Sequence, residues 1–466
     1  MAKRETIRCV SPVNGKIYAE RPVAARNEIA ATFAAARAAQ DKWKRLPISE
    51  RAKHCSAAVD AMLAMRSEIV PELAWQMGRP VRFGGGELRG FEERARYMIS
   101  LAEKALHRID PGPKEGFVRY IKREPVGVVF TIAPWNYPYL TAVNSIVPAL
   151  MAGNTAVLKH AAQTLLVAER FQAAFDRAGL PKGVFQHLVL THEQTGTIIS
   201  GGLADMVCFT GSVAGGAAME RAAAGSFRHM GLELGGKDPA YVRKDANLPH
   251  AIENLVDGAF FNSGQSCCAI ERIYVHKKVW DNFVEGFVDL TRKYVLGDPL
   301  KEATTLGPMI RPEAADFVRR QISSAVRAGA RAHIDPKHFP MERKGSAYMA
   351  PQVLTGVNHQ MSVMREESFG PVIGIMKVAD DEEAIALMND SPYGLTAAVW
   401  TEDADAAQHI GDEVATGTVF MNRCDYLDPA LAWTGVRQSG RGASLSIVGY
   451  ESLTQPKSYH LRTKTG

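Results

Sequence analysis

The chain of 466 residues, 46% hydrophobic and 23% charged, is long enough for two or three hydrophobic cores and has the balance of a soluble globular protein. Its net charge of +5 is mild, and basic residues are interleaved with acidic ones, so no nucleic-acid partner is implied. Six irregularly spaced cysteines (Cys9, Cys55, Cys208, Cys267, Cys268 and Cys424), with no Cys-x-x-Cys pair or histidine-rich cluster, argue against a disulfide framework and against a metal site. The apolar stretch 126–158 is cut by Pro134, Asn136, Pro138, Asn144, Pro148 and Asn154, so no membrane span is predicted. The opening Met-Ala-Lys-Arg-Glu-Thr lacks the apolar centre of a secretory signal, and a cytoplasmic location is the expectation.

In chain order, the region 23–106 reads as mainly helical, with apolar spacing near 3.6 over 24–43 and 50–65 and with Gly84-Gly85-Gly86 breaking a turn between two helices. Residues 117–124 alternate apolar and charged side chains, which predicts an exposed strand or hairpin whose edge invites pairing with another subunit. Short β-branched runs at 126–133 and 155–158, each followed by helix-like sequence, predict buried parallel strands. A strand at 205–209 leads into Thr-Gly-Ser-Val-Ala-Gly-Gly (210–216), where a helix begins. A second α/β pattern follows Gly236, with candidate strands at 273–275, 372–376 and 397–400. No repeat or low-complexity linker marks the boundary near 235, which rests on the change of motif alone.

Chemistry is concentrated in Leu-Glu-Leu-Gly-Gly-Lys (232–237), which contains Glu233, and Asn-Ser-Gly-Gln-Ser-Cys (262–267), which ends on Cys267. A thiolate adds to a carbonyl carbon, and a carboxylate opposite it activates water against the resulting thioester. The glycines suit backbone that turns sharply or approaches a ligand closely. Pro-Trp-Asn-Tyr-Pro (134–138) is a rigid turn that fixes one amide, and Asn136 can donate its N–H to a developing oxyanion. Singly these segments have ordinary readings, an inert buried cysteine or a glycine turn; their weight comes from occurring together.

With Glu-Glu-Ser-Phe-Gly-Pro (366–371) they occur in an order that resembles the aldehyde dehydrogenase superfamily over essentially the whole chain. The resemblance implies Cys267 as nucleophile, Glu233 as general base, and Asn136 with the Cys267 backbone N–H as oxyanion hole. It also implies NAD or NADP as cofactor. Gly211 and Gly216 then belong to the cofactor turn, Ser212 and nearby backbone N–H groups face a pyrophosphate, Trp135 borders the cofactor, Lys159 binds the adenosine ribose, Glu367 the nicotinamide ribose, and Phe369 packs on the nicotinamide. The segment 435–442 resembles a family signature, Gly-x-Lys-x-Ser-Gly-x-Gly, with Arg437 in place of lysine and a structural role.

Two departures bear on specificity. Many NAD-preferring members carry a glutamate three residues after the lysine, where this chain has Ala162, and His160 replaces a proline; loss of the acid removes a barrier to a 2′-phosphate, which leaves NADP open alongside NAD. Leu-Lys-His-Ala resembles bacterial succinate-semialdehyde dehydrogenases, yet the two arginines with which those enzymes hold the distal carboxylate correspond by spacing to Asn144 and Phe261. Without them a carboxylate loses charge-assisted bonds of about 1.5–3 kcal/mol each. The expected funnel wall of Tyr137, Asn144, Phe261, Leu427 and Trp433 is aromatic, apolar or neutral and suits an uncharged aldehyde of small to medium size, aromatic or hydroxylated.

The sequence therefore predicts an α/β enzyme with a Rossmann-like cofactor domain (1–106 and 126–235), an α/β catalytic domain (236–435), a β-hairpin oligomerisation arm (107–125 and 450–466) and a return segment (436–449) packed on the cofactor domain. A homodimer or homotetramer is expected. The alternatives are a succinate-semialdehyde dehydrogenase and, less favoured, a cysteine hydrolase, for which the nearby sequence offers only His276 as partner. Cys268 beside the nucleophile either packs or traps an oxidised Cys267.

Overall fold

In a computed structural model, which describes residues 4–465, two parallel-rich sheets carry the architecture. The first has six strands in the order Gly440–Arg441, His229–Glu233, Met206–Thr210, Val128–Ala133, Thr155–His160 and Phe185–His187. All pairs are parallel except that of Gly440–Arg441 with His229–Glu233. Every residue of Val128–Ala133 and Thr155–His160 is buried, as continuous apolar runs require when helices cover both faces of a sheet. The second sheet has seven strands, Arg331–Ala332, Gln352–Thr355, Val372–Val378, Ile270–His276, Asp238–Val242, Thr396–Trp400 and Thr418–Met421, antiparallel only at the first pair. The strands expected at 126–133, 155–158, 205–209, 273–275, 372–376 and 397–400 all form, with ends shifted by a few residues.

Helices Arg26–Trp43 and Ile48–Ala64 occupy the two spans predicted to be helical. Gly84-Gly85-Gly86 does not break a turn: the triplet lies within the 25-residue helix Val81–Ala105. The glycines answer to packing instead. A Cβ on Gly84 would lie 2.8 Å from Cγ1 of Val70, and one on Gly85 would lie 2.4 Å from a guanidinium nitrogen of Arg66, so small residues let this helix approach Arg66–Met77.

Strand Phe117–Pro125 pairs antiparallel with Thr454–Arg462, from the far end of the chain, and 107–125 also folds back on itself, Ile109 and Ile121 exchanging backbone hydrogen bonds at 2.9 Å. Stacked rings tie the ribbon, Phe117 on His460 and Tyr120 on Tyr459, with centroids 4.7 and 4.6 Å apart. Tyr450 is not part of the ribbon: it lies in helix Ser446–Ser452, fully buried, and its hydroxyl donates to the Met98 carbonyl at 2.6 Å. No helix among the described residues is long and apolar enough to cross a membrane.

Candidate active site

The nucleophile loop follows helix Leu248–Phe260 and passes through Asn262, Ser263 and Gly264 in the left-handed region, with φ of 53°, 58° and 70°. Such a run is costly for residues with a Cβ and persists only where its surroundings over-determine it. Here they do. Asn262 Nδ2 donates to the carbonyls of Asn136 at 3.3 Å and Gln265 at 3.2 Å, Ser263 Oγ donates to the Gly307 carbonyl at 2.7 Å, and Gln265 Oε1 accepts from Ile310 N at 2.7 Å. A Cβ on Gly264 would lie 2.4 Å from the Gly370 carbonyl oxygen, so that position admits only glycine. Cys267 emerges from this frame as a free, half-buried thiol.

Asn136 is buried and donates one amide hydrogen to the Gln265 carbonyl at 3.2 Å, leaving its second N–H for a ligand. Its own carbonyl accepts from Arg79 Nη2 at 2.6 Å, and Arg79 is ion-paired with Glu87 in an almost solvent-free setting. Glu87 also accepts from the Tyr139 and Leu140 backbone N–H groups at 2.9 and 3.1 Å, at the start of helix Pro138–Ala152. Thus one buried ion pair ties together Asn136, the loop that carries Cys267 and a helix terminus. None of this network was evident from sequence.

Glu233 closes strand His229–Glu233 and, together with Cys267, lines two adjoining cavities. Its Oε1 accepts from Ser444 Oγ at 2.5 Å and its Oε2 from Thr210 Oγ1 at 3.2 Å. Burial pushes the carboxyl up, while the Ser444 and Thr210 hydroxyls and the Arg94 charge draw it back down. Behind it lies a cavity of about 40 Å³, bordered by Thr131, Ser145, Cys208 and Ser444, which has room for a water molecule. Because the Ser444 hydroxyl favours the ionised carboxylate, Ser444→Ala should raise the Glu233 pKa and move the acid limb of the steady-state rate to higher pH. An unchanged pH profile in that variant would remove Ser444 from the positioning of the base.

The cofactor-side cavity, about 370 Å³, is walled by strand ends of the first sheet and by loops and a helix outside both sheets, and includes Trp135, Asn136, Gly211, Ser212 and Glu367. Ligands in α/β folds sit at the carboxyl ends of parallel strands, and Trp135, Lys159 and Gly211 all lie at or just beyond such ends of the first sheet. Ser212 caps helix Val213–Ala223, accepting from Gly215 N at 3.2 Å, so the first-turn amides rather than its hydroxyl are available to an anion. Gly216 sits within that helix, where a Cβ would meet Leu234 Cδ2 at 2.6 Å; its place is close helix-to-strand packing, not a turn around a ligand. Lys159 is mostly buried in its strand, with its ammonium pKa lowered by burial, and does not border the cavity.

Trp135 and Phe369 form an edge-to-face pair with centroids 5.7 Å apart. Phe369 is itself in the left-handed region, φ 48°, held by Glu271, whose carboxylate accepts from the Ser368 and Phe369 N–H groups at 2.8 and 2.9 Å and pairs with Lys237 at 2.6 Å. The Glu367 carboxyl, accepting from Gly236 N at 3.1 Å, is pushed up to about 8 by burial and by neighbouring Glu271. His160 turns inward instead of facing a phosphate: Nε2 donates to the Pro138 carbonyl at 3.3 Å, Nδ1 accepts from Ala161 N at 2.9 Å, and burial pushes it down to about 3, so it stays neutral. Ala162 is exposed and opens the short helical turn Ala162–Thr164 that follows the strand. These groups fit a dinucleotide: a helix terminus for the pyrophosphate, an aromatic pair and Glu367 for the nicotinamide end.

The substrate-side cavity, about 330 Å³, includes all five residues expected to wall it, Tyr137, Asn144, Phe261, Leu427 and Trp433. It is not a neutral wall, however. Arg94 from helix Val81–Ala105 and Asp425 from the loop after Thr418–Met421 also border it, with Arg89 and Glu93. Asp425, at φ 51°, accepts from Cys268 Sγ at 2.9 Å and Ser266 Oγ at 3.2 Å, and burial pushes its carboxyl up to about 6. The Cys268 thiol is held well above its ordinary value by its hydrogen bond with Cys267, by burial and by Asp425. His276 accepts from Lys278 N at 3.1 Å in its own strand end, and no histidine borders either cavity among the described residues.

A thiol and a carboxylate on the wall between a cleft that fits a dinucleotide and a second, partly aromatic cavity are the groups that an oxidoreductase working through a thiol adduct needs. Residues 1–459 match the aldehyde dehydrogenase family model, and the chain belongs to that family of NAD(P)-dependent enzymes. It is 35% identical over 442 residues to an aldehyde dehydrogenase of Paenarthrobacter nicotinovorans, covering 94% of this chain and 95% of that one. It is 33% identical over 411 residues to an NADP-dependent succinate-semialdehyde dehydrogenase of Mycobacterium avium, covering 88% and 86%. Among solved structures, an NAD-dependent aldehyde dehydrogenase from Sinorhizobium meliloti matches with a TM-score of 0.94 at 32% identity, covering 99% of this chain and 92% of that one.

Proposed function

We propose that the protein oxidises an uncharged aldehyde of small to medium size to its carboxylic acid with NAD or NADP. The observation that carries this is the placement of Cys267 and Glu233 on the wall common to both cavities. Cys267, as thiolate, attacks the aldehyde carbon, and the alkoxide formed is stabilised by the Asn136 amide and the Cys267 backbone N–H. A dinucleotide held by the first-turn amides of helix Val213–Ala223 and by Glu367 would supply the hydride acceptor needed to take this thiohemiacetal to a thioester on Cys267. Glu233 then takes a proton from water, the resulting hydroxide attacks the thioester carbon, and the carboxylate leaves as the thiolate is restored. A cysteine hydrolase lacks support, since no histidine among the described residues borders either cavity that Cys267 lines.

Exposed Ala162 and the absence of an acid there favour acceptance of NADP, and relatives of both cofactor types occur, the Mycobacterium avium enzyme using NADP and the Sinorhizobium meliloti enzyme NAD. The test follows formation of reduced nicotinamide with each cofactor across aliphatic, aromatic, hydroxylated and carboxylated aldehydes. Turnover of uncharged aldehydes supports the reading; preferred turnover of succinate semialdehyde restores the alternative.

The ribbon of Phe117–Pro125 and Thr454–Arg462 projects apolar Val118 and Leu461, each about half exposed, along a two-stranded edge. Such an edge is suited to extending a sheet of a second copy, and a homodimer or homotetramer is proposed. Sedimentation at working concentration should give a multiple of the 50.8 kDa chain mass, and a monomer would refute it.

A further inference from the structure

We infer that Arg94 and Asn144 form the specificity-determining wall of the substrate cavity, and that they take a hydroxyl oxygen of a hydroxylated aldehyde. This deepens the reading of the chain as an aldehyde oxidoreductase and rests on it. Arg94 is 8% exposed and Asn144 3% exposed, yet their donors are poorly used. Arg94 Nη1 donates to the Leu140 carbonyl at 2.8 Å and, at the long distance of 3.4 Å, to Asn144 Oδ1. A guanidinium has five N–H donors, and no carboxylate lies within ion-pair distance of Arg94 among the described residues. The Asn144 Nδ2 amide has no hydrogen-bond partner among the described residues.

Buried donors without acceptors are expensive. Glu233 acts on Arg94 only through its charge: no hydrogen bond joins them among the described residues, and its oxygens accept from Ser444 and Thr210. What completes this wall is therefore an acceptor carried in by the substrate. A carboxylate would gain from Arg94, but it would share a cavity of about 330 Å³ with the half-buried Asp425. A hydroxyl suits both: its oxygen accepts from Arg94 or Asn144, and its proton can be donated towards an acid such as Asp425. The remaining walls, Tyr137, Phe261, Leu427 and Trp433, pack on the carbon chain.

The test compares kcat/KM for glycolaldehyde against acetaldehyde, and glyceraldehyde against propanal, in the wild-type enzyme, Arg94→Met and Asn144→Leu, with succinate semialdehyde as a further substrate. The wild type should favour the hydroxylated member of each pair by about tenfold or more, and Arg94→Met should collapse that ratio. Asn144→Leu reads the same ratio by an independent route should Arg94→Met fail to fold. Equal losses on both members of each pair would overturn the proposal, as would a wild-type preference for succinate semialdehyde that Arg94→Met abolishes. No reduced nicotinamide from any aldehyde would instead refute the underlying oxidoreductase reading.

Discussion

Rapid mixing of the Glu233→Gln variant with aldehyde and cofactor should release one equivalent of reduced nicotinamide per active site and then stall. Steady-state turnover should fall by about 10²- to 10⁴-fold, the usual yield of a positioned general base. The substitution keeps the size of the side chain, and a glutamine oxygen can still accept from Ser444, so the cavity shape survives. What disappears is the capacity to take a proton from water. Hydride transfer precedes that need, and the first turnover therefore stands while hydrolysis of the thioester fails. Unchanged steady-state turnover would show that another group is the base; loss of the initial burst would show that Glu233 is also required to form the adduct.

Glu87→Ala should cost about 3–5 kcal/mol of stability, because it leaves Arg79 as an uncompensated buried charge. The side chains of Arg79 and Glu87 are 2% and 0% exposed, which denies the orphaned guanidinium any rescue by solvent. The same change strips the acceptor from the Tyr139 and Leu140 N–H groups at the start of helix Pro138–Ala152. Denaturant unfolding is the appropriate measurement. Because Arg79 also supports the Asn136 carbonyl, any folded fraction should lose catalytic rate as well as stability. A variant as stable and as active as the wild type would show that the ion pair supports neither the fold nor the oxyanion site.

Strands such as Val128–Ala133 were legible because burial on both faces writes a continuous apolar run into the chain, and Cys267, Glu233 and Asn136 were legible because their neighbours must be glycine or proline. The glycine triplet at 84–86 misled for a related reason: glycine marks close approach as well as turning, and only the packed partner, Val70 or Arg66, distinguishes them. Gly216 is the same case in miniature. Arg94 and Asp425 were missed because a charged side chain on a helix or loop ordinarily faces water. A signal did exist. Arg94 falls three residues after Phe91 and four before Met98, both buried on one stripe of helix Val81–Ala105, so its charge interrupts an apolar face. The ion pair of Arg79 with Glu87 left a weaker trace, since pairing in space within one short stretch is not marked by composition.

The pairing of Gly440–Arg441 with the strand that bears Glu233 has a consequence for the order in which the enzyme comes into being. A ribosome delivers the N-terminal parts first, so Cys267 is made well before the segment that completes the edge beside Glu233 and supplies Ser444. Until that segment arrives, His229–Glu233 is an unfinished border and the carboxylate lacks its hydroxyl grip. A nascent or prematurely terminated chain thus carries the thiol without a properly seated base. With Glu233 as the proposed base, full competence would be expected only once the segment bearing Ser444 has been made.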